Sequence, residues 1–504
     1  MLKKRRSEEL RLERILTELK EKVNSRSNLS SLRQQMKEES NKQKLLQSLE
    51  EYKPVFQAFL KDEDAKTRKN AALLLGDLKC QDAVEAICQA YEEEETLFVK
   101  ASYLQALGNL DVRDKLPMLK AKLEQLLRET VTEENKKHIE EEIRELRKIV
   151  IQYEGIKHHT ADIKGKKLSV ILLTNRTQRE TVRRMITCGE AKVHPLGVWV
   201  DTDDLPSVIK VRTFRDMLFP LNMEGFLPND PIEAAKQVWE SDILGLLDSI
   251  HKEKGEYYFR IECKSAMELD ERSGFTKKLA TELETLSKGQ LINSTSDYEV
   301  ELRLIANKEG GYFPALKLGT VKKRRFTYRK NAIAASIHPS TAALIMELAK
   351  DYLKEDAQII DPFCGVGTML IERTKKVHAR EMYGVDIFGD AIKYARENTQ
   401  LAGLRINYIH RDFRDFKHNY LFEEIITNMP VRGKKTKQEM DHFYGEFFDK
   451  AQTILTKDAV VVMYTNELGF VKKQLRLHKE FELVQETCMQ PKTEFYLLVM
   501  KYKG

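Results

Sequence analysis

Residues 361–368 combine an acid, two glycines and a threonine in an arrangement that suits a polar ligand. The run reads Asp-Pro-Phe-Cys-Gly-Val-Gly-Thr and lies between the apolar residues 358–360 and the helix-forming residues 369–373. This order predicts a strand, a tight turn and a helix. Without side chains at Gly365 and Gly367, backbone N–H groups can reach a ligand, whose negative end the helix N-terminus favours. An ordinary strand-to-helix turn, or a loop for another nucleotide, fits the same residues.

Three later predicted strands also end in polar or acidic residues. Residues 381–385 precede Asp386, residues 406–409 lead to Asp412, and residues 424–427 precede Asn428. A carboxylate at a strand end can accept hydrogen bonds from ribose hydroxyls. Counting Asp361, four successive strand ends carry such groups, and in a doubly wound sheet this edge binds ligands.

This series resembles class I S-adenosylmethionine-dependent methyltransferases that methylate an exocyclic amine. Their pattern is Asp-Pro-Phe-x-Gly-x-Gly-Thr, followed later by Asn-Pro-Pro-aromatic or a close variant, and the first part matches almost completely. The resemblance implies S-adenosyl-L-methionine as the cofactor, with its methionine at the glycine turn, its ribose at Asp386 and its adenine at Asp412 and Phe413. The cofactor-binding residues that the resemblance implies are Asp361, Phe363, Gly365, Gly367, Thr368, Asp386, Ile387, Asp412 and Phe413.

The run Asn428-Met429-Pro430 predicts how an amine is activated. An aryl amine is a poor nucleophile because its lone pair is delocalised into the ring. The side-chain oxygen of Asn428 and a neighbouring backbone carbonyl can accept both amine hydrogens and aim the lone pair at a methyl carbon. Catalysis then comes from positioning and electrostatics. We therefore expect Asn428, Met429 and Pro430 to be the catalytic residues.

Two positions depart from the family pattern. Met429 stands where a proline is usual, which is tolerable because that position contributes a carbonyl. Val431 replaces an aromatic residue that stacks on the target base in the family. Valine cannot stack, so either Phe443 or Tyr444 holds the base, or the site is degenerate. Lys434, Lys435 and Lys437 follow and can grip phosphate, although plain surface charge explains them equally well.

Composition indicates a multidomain protein outside membranes. A chain of 504 residues is too long for one core and suggests about three domains. The net charge of +6 permits a polyanionic partner without demanding one. No apolar run reaches the roughly 20 residues of a membrane helix, and no signal peptide is predicted. The six cysteines lack metal-ligand spacing, so we expect reduced thiols, no metal site and a cytoplasmic location.

The amino-terminal third is predicted to be helical. Residues 1–45 form a charged helical arm that begins with Lys3-Lys4-Arg5-Arg6 and places Leu10, Leu12, Ile15, Leu16 and Leu19 on one side. Residues 46–150 are similar to HEAT-type helical repeats, because segment 68–76 recurs as 100–108 with a period of roughly 32 residues. Such stacked helices serve either as a docking platform for a protein partner or as a structural extension.

Residues 165–325 show strand and helix signals that resemble the THUMP RNA-binding module with its preceding ferredoxin-like half. Strands are predicted at 168–173, 197–200, 257–263, 299–305 and 312–318, with helices at 177–186, 205–217 and 275–286. The nearest likeness lies at 258–264, 275–280 and 298–304. The resemblance implies RNA binding.

A basic run joins this region to the glycine turn. Residues 321–330 contain six cations and two aromatic rings, a composition that offsets phosphate charge and stacks on unpaired bases. A solvated charge run is the alternative. The predicted RNA-binding residues are Lys322, Lys323, Arg324, Arg325, Tyr328, Arg329 and Lys330.

Together these patterns predict a multidomain chain with an α-helical HEAT-like amino-terminal region, an α+β THUMP-like RNA-binding domain and an α/β Rossmann-like class I methyltransferase domain at 331–504. We expect five parallel strands followed by an antiparallel hairpin. The resemblance implies transfer of a methyl group to N2 of guanosine in tRNA or large-subunit rRNA. A non-catalytic RNA-binding or assembly protein, and an amine methyltransferase acting on DNA or protein, remain open alternatives.

Overall fold

The computed structural model describes residues 12–128 and 132–504, which form two compact units, Met1–Lys157 and His158–Gly504. The basic start of the predicted arm, at residues 3–6, and Leu10 lie outside the described residues. Within them, none of the helices combines the length and the apolar character needed to cross a bilayer.

The first unit is helical. After the helical residues 12–20, its helices are α1 Ser25–Gln35, α2 Glu39–Gln47, α3 Leu49–Ala58, α4 Ala65–Asp77, α5 Val84–Glu93, α6 Leu97–Leu107, α7 Leu116–Arg128 and α8 Glu133–Glu154. The apolar side predicted for the arm is buried, and Leu19, Leu32 and Leu45 are fully buried in the same core as Phe56. Residues 12–45 of the arm therefore pack into the helical unit instead of projecting from it.

The two self-similar segments form the helices α4 and α6. Asp64 caps α4 by accepting a hydrogen bond of 2.8 Å from the Thr67 N–H, as expected at a helix start. The helices approach so closely that a Cβ atom on Gly76 would lie 2.6 Å from the Ala106 Cα. This close approach fixes how one repeat stacks on the next.

The second unit begins with an eight-stranded sheet in the order β2-β3-β1-β4-β8-β7-β5-β6. Its strands are β1 Lys164–Leu173, β2 Glu190–His194, β3 Gly197–Asp204, β4 Asp216–Pro220, β5 Tyr257–Lys264, β6 Leu291–Asn293, β7 Val300–Ala306 and β8 Tyr312–Leu318. Its helices are α9 Arg179–Arg184, α10 Leu205–Lys210, α11 Pro231–Glu240, α12 Ile243–Ile250 and α13 Leu269–Leu286.

One predicted element of this region is wrong. The helix expected over 205–217 ends at Lys210, and Met217, Leu218 and Phe219 belong to the central strand β4. All three side chains are buried, so the strand shows a continuous apolar run without alternation. Such a short run does not distinguish a buried strand from a buried helix.

The second sheet has seven strands in the order β11-β10-β9-β12-β13-β15-β14. Its elements are α14 Pro339–Ala349, β9 Ala357–Asp361, α15 Thr368–Lys376, β10 Ala379–Asp386, α16 Gly389–Leu401, β11 Asn407–His410, β12 Phe422–Asn428, α17 Lys437–Gln452, β13 Leu455–Thr465, α18 Leu468–Leu477, β14 Phe481–Gln490 and β15 Phe495–Tyr502. Five strands pair in parallel, and β14 and β15 close the sheet in antiparallel register. The predicted topology is confirmed.

The two sheets share one hydrophobic core. Leu302 and Leu316 of the first sheet belong to the same buried cluster as Ile426 and Val462 of the second. Because the core is continuous, residues 158–504 form one body and not two loosely linked domains.

Candidate functional site

Four adjacent strand ends meet at one edge of the second sheet. Asp386 pairs with His410, Gly384 pairs with Asp361, and Ile425 pairs with Ile360. The groups that follow these strands, Asp412, Asp386, Asp361 and Asn428, therefore leave the same edge in spatial order. The carboxyl edge of a parallel sheet is where ligands bind in such folds.

The glycine turn leaves room on one side and is supported on the other. Both glycines have positive φ angles, 51° at Gly365 and 82° at Gly367. A Cβ atom at Gly365 would meet nothing within 4 Å, whereas one at Gly367 would lie 2.2 Å from the Tyr408 hydroxyl. Gly367 is thus required by packing, and Gly365 faces space that a ligand can occupy.

Asp386 holds the turn in place. Its Oδ2 atom accepts a 2.8 Å hydrogen bond from the Gly365 N–H, and its Oδ1 atom accepts one of 2.9 Å from the Phe388 N–H. The Gly367 N–H donates to the Cys364 carbonyl at 2.8 Å. Both glycine N–H groups are therefore engaged by acceptors of the turn itself, so a ligand here would meet other backbone N–H groups of the turn.

Asp361 is a buried acid with unused hydrogen-bonding capacity. Its Oδ1 atom accepts a hydrogen bond from the Phe363 N–H at 3.1 Å, while its Oδ2 atom has no hydrogen-bond partner among the described residues. Burial raises the pKa of this carboxyl to about 8. The hydroxyl of Thr368, at the start of α15, is also buried and unpaired in the described structure. A bound cationic or hydroxyl-bearing group would satisfy both.

The residues expected at the adenine end differ in how exposed they are and in what they contact. Phe413 is buried, and the half-buried ring of Phe363 lies 5.9 Å from it, centroid to centroid. Ile387 exposes 56% of its surface beside Asp386 and offers an apolar face. Asp412 is already bound by Arg414 at 2.6 Å, and the hydrogen bonds from this residue lower the pKa of the Asp412 carboxyl.

Asn428 ends β12 with its side chain half-buried and without a hydrogen bond to the described residues. The next residue fixes the backbone, because Met429 is buried and its N–H donates to the Tyr464 carbonyl on β13 at 2.9 Å. Pro430 is half-buried and Val431 is 52% exposed. The motif therefore presents a free amide at the edge from an anchored backbone.

The two aromatic alternatives to Val431 differ in position. Tyr444 is fully buried and its hydroxyl lies 2.6 Å from that of Thr465. Phe443 is half-buried, with its ring centroid 5.3 Å from that of Phe363. Of this pair, only Phe443 can reach a ligand at the edge.

Three cations of the basic run make contacts within the protein. Lys323 is paired with Asp216 at 2.6 Å, Arg325 donates to the Val211 carbonyl at 2.6 Å, and Arg329 donates to the Ile337 carbonyl at 3.1 Å. Burial lowers the pKa of Arg325 to about 9 and also lowers the pKa of Lys323. These three cations are half-buried and engaged within the protein in this conformation, which makes them less accessible to RNA.

Tyr328 does not offer its ring to a base. It is 3% exposed, and its hydroxyl donates to Glu372 on α15 at 2.6 Å. The expectation that it stacks on RNA is therefore wrong. Lys322, Arg324 and Lys330 are exposed, and of these Lys322 donates to the Gly319 carbonyl at 2.9 Å.

Two supporting residues were not predicted. Glu372 is buried and receives the Arg212 guanidinium at 2.7 and 2.8 Å in addition to the Tyr328 hydroxyl. Asn398 is also buried. Its side-chain NH₂ group donates to the Val366 carbonyl at 3.2 Å and to the Asn331 carbonyl at 3.0 Å, and its Oδ1 atom accepts from the Asn331 N–H at 3.0 Å. The sequence signal for both was a polar residue on the apolar face of a helix.

The strand order, the closing hairpin and the acids at the strand ends define a class I methyltransferase fold. Residues 326–494 match the family described as RMKL-like, methyltransferase domain (UPF0020). This match supports a methyltransferase domain in this part of the chain. Residues 52–144 match HEAT repeats, which confirms the predicted repeats.

Several known proteins are similar to parts of the chain. The tRNA (guanine(10)-N2)-dimethyltransferase of Methanothermobacter thermautotrophicus is 28% identical over 144 residues, which are 28% of this chain and 40% of that protein. A ribosomal protein L11 methyltransferase of Caldanaerobacter subterraneus subsp. tengcongensis is 25% identical over 331 residues, 61% of this chain and 99% of that protein. The crystal structure of TrmN from Thermus thermophilus shares the fold, with a TM-score of 0.51 and 17% identity over 66% of this chain and 99% of that one.

The methyl donor of this family is S-adenosylmethionine, and the geometry fits it. The open side of Gly365, the unpaired oxygen of Asp361 and the exposed face of Ile387 lie along one edge, in the order that the donor's methionine and adenine ends require. Asp386 lies between them with lone pairs left for ribose hydroxyls.

Proposed function

We propose that the protein transfers a methyl group from S-adenosylmethionine to N2 of a guanosine in RNA, with tRNA as the favoured substrate. The observation that carries this proposal is the unpaired Asn428 amide, which leaves the sheet edge beside the donor-binding turn. The name of the tRNA (guanine(10)-N2)-dimethyltransferase relative supports both the base and the RNA class.

The chemistry assigned to the chain's own residues is positioning. The Asn428 oxygen accepts one hydrogen of the guanine amine, and a backbone carbonyl of residues 428–430 accepts the other. Because Met429 is anchored to Tyr464, this second acceptor cannot drift. The amine forms a bond to the methyl carbon, the carbon–sulfur bond breaks, and a proton leaves the nitrogen to water. Preorganised acceptors of this kind lower the barrier without a strong base.

RNA binding is assigned to the eight-stranded half of the second unit, whose THUMP-like character stays a proposal. Its support is the strand order around β5, β7 and β8 and the exposed cations Lys322, Arg324 and Lys330, which lie in the segment that connects β8 to α14. We place the reaction in the cytoplasm and leave a protein partner of the helical unit as a further proposal.

Two alternatives have specific support. The ribosomal protein L11 methyltransferase relative aligns over 61% of the chain, which favours an amine on a protein as acceptor. The exposed Val431, which cannot stack on a base, favours a scaffold that keeps the donor without transferring its methyl group.

One experiment separates these outcomes. The purified chain is incubated with S-adenosylmethionine that carries a labelled methyl group. Parallel reactions each contain one acceptor: unfractionated tRNA, rRNA, DNA or ribosomal protein. We expect label in tRNA, recovered as N2-methylguanosine after digestion to nucleosides. Label only in protein or DNA would replace the proposed acceptor. Unlabelled acceptors together with measurable S-adenosylhomocysteine binding would establish the scaffold.

A further inference from the structure

The loop between β12 and α17 is exposed, basic and firmly built. Residues 431–436 are all exposed, and Gly433 has a positive φ of 56°. The Lys435 N–H donates to the Arg432 carbonyl at 3.0 Å, which closes a turn. Thr436 and Glu439 then form a reciprocal capping box that fixes the start of α17. The position of Lys435 is therefore set by the local fold.

This turn places a cation on the ring of Phe443. The Lys435 Nζ atom lies 4.8 Å from the Phe443 ring centroid, and Phe363, from the glycine turn, packs 5.3 Å from the same ring. Phe443 thus contacts a ring of the glycine turn and also carries the ammonium of an exposed lysine. Because Val431 cannot stack on a base, the half-buried Phe443 ring beside the glycine turn is the aromatic surface that we consider for this task.

We propose that Phe443 is the platform on which the target base stacks, and that Lys435 leaves the ring when the base arrives and pairs with an adjacent phosphate. The inference rests on the proposed function and names the substrate feature that its site reads, a purine nucleotide extruded from single-stranded RNA.

When the base replaces Lys435 on the ring, both the Phe443 ring and the Lys435 ammonium gain a new partner. A base on an aromatic ring generally binds more strongly than an exposed ammonium on the same ring, so the base displaces Lys435. The freed ammonium then offsets phosphate charge. Lys434 on the same loop and Lys437 at the start of α17 are exposed and have no ion-pair partner within the described residues, so the phosphates next to the extruded base meet further cations.

The test uses the full chain with unfractionated tRNA as the probe. Phe443→Leu removes the ring, Phe443→Trp keeps stacking and adds a fluorophore to the two native tryptophans, and Lys435→Met removes the cation. Matched controls are Tyr420→Leu and Lys479→Met. Both control residues are exposed and lie two residues before strand starts, Phe422 and Phe481, at the opposite edge of the sheet.

We expect Phe443→Leu to lower kcat/KM for tRNA by about tenfold or more, because one stacked base is lost. Phe443→Trp should remain within about threefold of the parent on the same basis, and its fluorescence should be quenched by tRNA. Lys435→Met should reduce the slope of log Kd against log salt concentration by about one unit. S-adenosylhomocysteine affinity should stay close to the parent value in all three variants.

If the parent methylates tRNA and Phe443→Leu does so at the same rate, this inference is wrong and the proposed function is unaffected. Absence of quenching in Phe443→Trp, with tRNA bound, has the same meaning. Loss of activity in Tyr420→Leu equal to that in Phe443→Leu would also overturn it, because the effect would then be a general one. A parent that methylates no RNA removes the proposed function and this inference together.

Discussion

The Asn428 amide and the Asp386 carboxylate lie on strands of the same sheet and have separable tasks. Asn428→Ala should lower kcat by about 100-fold, since one positioned acceptor is lost, and leave cofactor affinity almost unchanged. Asp386→Ala should instead weaken S-adenosylhomocysteine binding first, because it removes the acceptor of the Gly365 and Phe388 N–H groups. Single-turnover kinetics and calorimetric binding measure the two effects.

Thermal unfolding serves as the control for both variants, and a midpoint within a few degrees of the parent shows that the sheet is intact. If Asn428→Ala methylates as fast as the parent, the assigned positioning mechanism is wrong.

Asp361 should give the protein a distinctive pH dependence. Its pKa is about 8 in the folded chain, above the ordinary value near 4, so between these values the folded state holds a proton that the unfolded state has lost. The contribution to stability is therefore complete below pH 4 and is lost as the pH rises toward 8. Between pH 5.5 and 8.5 the loss is on the order of 2–3 kcal/mol.

Urea unfolding at these two pH values tests this prediction, with Asp361→Asn as the comparison. The variant should show a shallower decline, because its amide does not titrate. Affinity for S-adenosylhomocysteine should rise over the same range in the parent, since an ionised carboxyl pairs better with the ligand's ammonium group. A decline as steep in the variant as in the parent would assign the effect to another group.

At the level of single residues, the sequence predicted the strand-end groups because the rule that locates them is local. Asp361, Asp386 and Asn428 each follow a short apolar run, and parallel pairing brings them to one edge. The fate of the basic run was not predictable in the same way. Lys323 and Tyr328 find partners at Asp216 and Glu372, which are distant in sequence, and composition alone does not identify such partners.

At the level of elements, the paired helices α4 and α6 offer a matched test. Gly76 and Gly108 are equivalent in the two repeats, yet a Cβ at Gly76 would lie 2.6 Å from the Ala106 backbone, whereas one at Gly108 would be 3.4 Å from its nearest neighbour, the Leu104 carbonyl oxygen. Gly76→Ala should therefore destabilise the helical unit by about 1–3 kcal/mol, as overpacking does. Gly108→Ala should be within about 0.5 kcal/mol of the parent. Chemical denaturation followed by circular dichroism compares them, and equal effects would contradict the proposed close approach.

The contacts around Glu372 join α15 to the preceding region. Tyr328→Phe removes one hydrogen bond to a buried carboxylate and should cost about 1–2 kcal/mol of unfolding free energy. Arg212→Met should cost more, because it leaves the charge of Glu372 without its cation. Arg183→Met, which breaks an exposed pair with Glu180, is the control and should cost less than about 0.5 kcal/mol. Urea titrations rank the three variants, and any other order would contradict the importance of this node.

Predictability at this level followed periodicity. The self-similar segments 68–76 and 100–108 lie in α4 and at α6, and the predicted strands 381–385 and 424–427 lie within β10 and β12. The strands β2 and β6 and the helices α11 and α12 were not predicted. Strand β2 has no fully buried side chain and β6 has only three residues, so neither carries a readable pattern.

At the level of the whole molecule, each unit has its own hydrophobic core. The cluster that contains Leu19, Phe56 and Leu104 is confined to the first unit, and residues 158–504 hold the others. A chain of residues 158–504 should therefore fold alone and bind S-adenosylhomocysteine with parent affinity. Calorimetry on this fragment tests the prediction. Aggregation of the fragment, or a loss of affinity, would show that the helical unit is required for folding of the remainder.

The Asn398 side chain links two segments of the second unit. Its three hydrogen bonds are divided between the Val366 carbonyl in the glycine turn and both backbone groups of Asn331 in the connecting segment. Outward movement of either segment would leave buried polar atoms of the Asn398 side chain without partners. We therefore expect the two segments to open together, so that the peptides containing Val366 and Asn331 exchange deuterium at the same rate.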